Sequence, residues 1–215
     1  FRSRDRWRPD RAVLAIAGDV TPDQVFAAVE ERFGAWAGRT AQEPLRPAPQ
    51  SIAGVRVIDA PEAPTAELRW GAIAPGRSEA SLAGWQLLVA ALNQSETLPR
   101  GARAQLLTLR DASLFLLSAP SSLGDAAKTA KQLREAIDAL ATAPPKGPAL
   151  DALRVTVARG WALPLESPGA QLTAWLNGFL AGQPADQLAR TAARYADPAS
   201  LGDAGAAAAA LRAGA

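Results

Sequence analysis

The chain of 215 residues contains no histidine, no cysteine and no methionine. Without histidine, Ser-His-Asp catalysis is excluded, and so is the imidazole that catalytic zinc sites nearly always use. Without cysteine there is no disulfide framework and no thiol nucleophile. No apolar run approaches the length of a membrane span. A phosphate-cradling loop is missing too, because Gly202 to Gly205 lacks the lysine and hydroxyl that such a loop needs. The carboxylates Glu30, Glu31, Glu62 and Glu67 have no acid or base partner set by their spacing. No catalytic residue and no metal ligand is therefore assigned in this chain.

What is present is enough apolar material for a sizeable core, at 48% hydrophobic residues. The net charge is +2 and the pI about 9.5. Much of the basic character is local, with arginines at 2, 4, 6, 8 and 11. Such a run can bind nucleic acid. Here Asp5 and Asp10 interrupt it and no recognition motif follows, so a solvated leading segment is the reading adopted and no nucleic-acid partner is expected. The chain starts at Phe1 without methionine, as expected for a piece of a longer protein.

The most informative stretch runs from Arg8 to Gly34. Val13 to Ala17 is a short apolar run closed by Gly18-Asp19, the pattern of a buried strand. Thr21 is placed to cap a helix, Pro22 suits its first position, and Gln24 completes a capping box. Val25, Val29 and Phe33 make one apolar stripe along that helix, which Gly34 ends. Residues 38–51, with Pro44, Pro47 and Pro49, read as a stiff linker.

Beyond the linker, Ile52 to Ala60 reads as a strand, Pro61 to Pro64 as a turn, and Thr65 to Gly71 as an alternating strand, together a hairpin. A helix is expected over Ser78 to Leu92 with Ser81 as a possible cap. A short helix follows over Gly101 to Leu109, then a strand over Leu114 to Ser118 that is apolar on both faces. Ala126, Ala130, Leu133, Ile137 and Leu140 define a long amphipathic helix. Further helices carry the stripes Leu150–Leu153–Val157–Trp161 and Leu172–Leu176–Phe179–Leu180. Asp186 to Tyr195 and Ala199 to Arg212 close the chain as Ala-rich helices. Trp85, Trp161 and Trp175 fall on helical stripes and read as core.

Three of these segments carry a resemblance. Arg8 to Gly34, the Val55 to Gly71 pattern with its Pro-x-Ala-Pro turn, and the Glu166-Ser167-Pro168 break followed by Gly182-Gln183-Pro184 resemble the pitrilysin/insulinase zinc-peptidase family. That family includes the mitochondrial processing peptidases. The resemblance implies an α+β fold, an antiparallel-rich mixed sheet with helices packed mainly on one face. It implies that residues 1–37 are the strand–helix tail of a preceding half-domain, 38–51 a linker, and 52–215 a C-terminal half without metal. Such a half would help enclose a peptide substrate and would dock on a catalytic half-domain or partner subunit, as a homo- or heterodimer. Zinc is expected only in that catalytic half or partner.

The His-x-x-Glu-His motif of the family is absent, and so is the Gly-Leu-x-Tyr segment whose tyrosine, with an arginine, approaches substrate in relatives. Glu67, Arg103 and Arg110 are what remains as substrate-contacting candidates. The ordinary reading of Glu67 is a solvent-facing strand position, and of each arginine a helix-surface charge. The alternative function is a structural or assembly module akin to peptidase-like core proteins. Bacterial relatives of this composition favour the periplasm over the cytoplasm.

Overall fold

The computed structural model describes residues 9–37, 54–77 and 80–213. These hold seven α-helices and three strands: α1 (Pro22–Phe33), β1 (Ala66–Pro75), α2 (Leu82–Asn93), β2 (Arg103–Leu107), β3 (Ala112–Ser121), α3 (Ala126–Thr142), α4 (Gly147–Ala162), α5 (Pro168–Leu180), α6 (Gln187–Ala196) and α7 (Gly205–Ala213). The fold is α+β. The sheet order is β1-β3-β2, and both pairings are antiparallel.

Strand periodicity decides the two faces of this sheet. Ala74, Ala104, Phe115, Leu117 and Ala119 point inward and are buried. Helix α2 lies against them with Leu87, Leu88 and Leu92 fully enclosed, and its Trp85 ring sits 5.8 Å from Phe115. Leu133 and Ile137 of α3 and Leu211 of α7 close the same core. Gly84 is required where α2 meets the turn before α7, because a Cβ there would stand 2.9 Å from the Asp203 carbonyl oxygen. The opposite face of the sheet carries no helix among the described residues.

Helix α1 forms as its local signals dictate. Thr21 Oγ1 accepts from the Gln24 N–H and Gln24 Oε1 accepts from the Thr21 N–H, a complete capping box. The strand expected just before it does not form: 12–17 has no strand neighbour, and Leu14 and Ile16 are about half exposed. A strand exists only by pairing, and no described segment of this chain pairs with 12–17.

Four further expectations are corrected. The turn after Ala60 forms, with the Ala63 N–H donated to the Ala60 carbonyl at 2.9 Å, but residues 54–60 do not pair with β1. β1 instead pairs along its whole length with β3, from Ala66 opposite Ser121 to Pro75 opposite Ala112. Residues 52–53 and the linker at 38–51 lie outside the described residues.

The stretch Gly101 to Leu109 holds strand β2 (Arg103–Leu107), not a helix. Its Leu, Arg and Gln favour a helix locally, but pairing with β3 and a cap from Asn93 outweigh that preference. Strand β3 is central, as expected, yet it is covered on one face only, and Leu114 on the other is 41% exposed. The last helix is also shorter than expected. A 3-10 turn at Pro198–Leu201 and Gly202 at φ 75° separate it from α6.

Candidate functional site

Two surfaces stand out. The first is the open sheet face. Glu67 and Arg69 of β1 and Arg103 of β2 all project there, and Arg69 and Arg103 are both registered opposite Ser118 of β3. Glu67 makes an exposed ion pair with Arg69 at 3.7 Å. At the other end of the face Ile73, Leu114 and Leu107 form an apolar row. The fold thus brings Glu67 and Arg103 onto one surface, through a strand at 103–107 and not through the helix expected there. Arg110 is elsewhere. It lies in the β2–β3 turn, 3.5 Å from Asp111, with its guanidinium near Gly182 in the α5–α6 connection.

The second surface is a cavity of about 270 Å³ between the start of α2, the end of α4, α5 and α6. Arg77, Arg190 and Arg194 line it, and among the described residues no Asp or Glu does. The Arg77 guanidinium donates to the Thr108 carbonyl at 3.2 Å and Arg194 to the Ala80 carbonyl at 3.1 Å. Arg190 is paired with Asp186 at 2.7 Å.

The walls of this cavity are aromatic. Trp161 stacks on Tyr195 at 4.8 Å between ring centres, and Trp175 stacks on Phe179 at 5.4 Å. Trp85 is core as expected, but Trp161 and Trp175 are only half-buried and face this space. Burial pushes the Tyr195 phenol above its ordinary value, opposed by its hydrogen bond to Gln86 and by the charge of Arg194. Reading the sequence alone passed over this cluster. Its one local signal is Arg190-x-x-x-Arg194-Tyr195, two cations one helical turn apart beside the only tyrosine of the chain.

A third feature is the N-terminal unit. No residue of α1 is buried, and α1 makes no extensive contact with another helix or strand. Leu14, Ile16 and Val20 lie alongside Val25, Val29 and Phe33 to form an open apolar groove.

The chain lacks the side chains that zinc sites most often use. It has no imidazole or thiolate, and among the described residues no three carboxylates gather where an ion could bind. Among the described residues, no helix is long and apolar enough to cross a membrane.

This is an α+β domain with helices on one face of its sheet and, among the described residues, no zinc-binding set. The chain belongs to the family described as the peptidase M16 inactive domain, which matches residues 4–147. That is the family to which its motifs show resemblance.

The fold is similar to that of a protease from Helicobacter pylori, at TM-score 0.68 and 18% identity over 89% of this chain. The chain spans 50% of that protease. It is also similar to the inactive peptidase domain of a Bordetella parapertussis protein classed as a zinc protease, at TM-score 0.56 and 19% identity, covering 68% of this chain and 86% of that one. A variant of the ferredoxin protease FusC in complex with Arabidopsis ferredoxin matches at TM-score 0.63 and 16% identity, covering 90% of this chain and 23% of that one. Comparison with curated proteins gives no match.

Proposed function

We propose that this chain is the metal-free closing half of a two-part zinc peptidase, docking on a zinc-bearing half or partner subunit and helping to enclose an extended peptide. The observation that carries the reading is the uncovered apolar groove of residues 14–33. A helix with an apolar stripe and no buried residue needs another surface, and nothing described in this chain supplies one. The chain's span of only half the Helicobacter protease supports a zinc-bearing half as that surface. On this reading residues 1–37 complete the sheet of the preceding half, 38–51 link the halves, and 52–215 form the closing half. The open sheet face, with Glu67 and Arg103 on it, and the outer edge of β1, which no strand pairs among the described residues, are then the surfaces available to a peptide.

The test is reconstitution. The zinc-bearing half of the parent, or the product of a neighbouring reading frame with His-x-x-Glu-His, is assayed on an unfolded peptide with and without this chain. This chain alone is expected to cleave nothing and to bind no stoichiometric zinc, and its addition is expected to raise cleavage by at least about tenfold through substrate positioning. Cleavage by this chain alone, or no gain on mixing, contradicts the proposal. A stable complex without cleavage would favour the assembly module instead.

A further inference from the structure

We infer that the cavity between α2, α4, α5 and α6 is a binding site for a carboxylate carried on an apolar or aromatic body. Its charge is the first argument. Three guanidiniums face about 270 Å³, and among the described residues only one of them has an acidic partner. The Thr108 carbonyl occupies an N–H of Arg77 and the Ala80 carbonyl one of Arg194, and these neutral acceptors bring no negative charge. Each guanidinium has five N–H donors in a fixed fork, so donors remain for a planar carboxylate.

Shape is the second argument. The Trp161–Tyr195 and Trp175–Phe179 stacks make flat apolar walls, and hydrogen bonds fix their orientation. Trp175 Nε1 donates to the Ala185 carbonyl at 3.3 Å, and the Tyr195 hydroxyl donates to Gln86 Oε1. Gln187 adds an amide that is held by Thr191 at 3.0 Å. A few polar groups converging between aromatic walls is the make-up of small-ligand sites, and the volume fits one side chain or a compact ligand. A phosphate would be served by the arginines alone. The aromatic walls favour a ligand with a hydrophobic part next to its charge.

The lining residues named above all belong to this chain, and the inference needs no partner half. It therefore stands or falls separately from the docking proposal. Two sources can supply such a carboxylate: a free aromatic acid, or the C-terminal residue of a peptide.

The experiment titrates the whole chain by tryptophan fluorescence and calorimetry with three probes: phenylacetate, the peptide Ala-Ala-Ala-Phe with a free carboxyl end, and its C-terminal amide. Saturable binding of at least one free acid is expected. The amide and the Arg194→Gln protein should each bind at least about tenfold more weakly, the cost of one charge-assisted hydrogen bond. Arg77→Gln, at the other guanidinium without an acidic partner among the described residues, serves the same purpose if Arg194→Gln lowers the melting temperature. Phenylacetate binding as tightly as the peptide assigns free acids as the source, and tighter peptide binding assigns peptide ends. No saturation by either acid, equal binding of the amide, or binding untouched by the arginine substitutions overturns the inference.

Discussion

Tyr195 is the single tyrosine of the chain, so its ionisation can be followed without interference. Burial raises its pKa above 10.0, and the Gln86 hydrogen bond and the Arg194 charge only partly offset this. The folded value exceeds the unfolded one. The stabilisation from the buried neutral phenol is therefore complete below pH 10.0 and is lost as pH rises through the folded value. Tyrosinate absorbance is expected to appear at higher pH in the folded chain than in urea. Arg194→Gln should move the folded titration higher still, because it removes a charge that favours the phenolate. A folded titration at or below the unfolded one would contradict the burial of this side chain between α4 and α6.

Among the elements, β2 is the one whose existence depends most on a distant side chain. Asn93, at the end of α2, donates from Nδ2 to the Ala104 carbonyl and accepts the Ala104 N–H at Oδ1, both at 2.9 Å. The amide stands where a neighbouring strand would be and blocks that edge of the sheet. Asn93→Ala is expected to lower stability by about 1–2 kcal/mol, with Asn93→Asp intermediate because it keeps the acceptor. Denaturant midpoints at constant slope check this, and an unchanged midpoint for Asn93→Ala would show that the cap contributes nothing.

The same pair explains what the sequence could not reveal. The α1 cap was legible because Thr21 and Gln24 are three residues apart, and the α3 stripe because it repeats every turn. Nothing local marks Asn93 as a strand mimic, so the helix-forming residues around Leu106 misled. The alternation in β1 was legible, but its partner was not, because pairing depends on segments nearly fifty residues apart. For the candidate site, Glu67 and Arg103 were found as single residues, while their shared face required the register to β3. The arginine–aromatic cavity comes from four separate elements, so only folding assembles it.

For the whole molecule, the decisive feature is a chain with a well-made core at one end and an uncovered apolar unit at the other. Leu87, Leu88 and Phe115 are completely enclosed, whereas α1 buries nothing. On the proposed function, the zinc-bearing half covers that unit. The most direct test is sedimentation equilibrium of this chain with the zinc-bearing half, comparing the unaltered protein with Leu14→Glu/Ile16→Glu. Both side chains are about half exposed, so the melting temperature should stay unchanged. A one-to-one complex is expected, weakened by about thirtyfold or more by the double substitution, as for central apolar contacts in an interface. Association of equal strength with and without the two glutamates, or none at all, would contradict it.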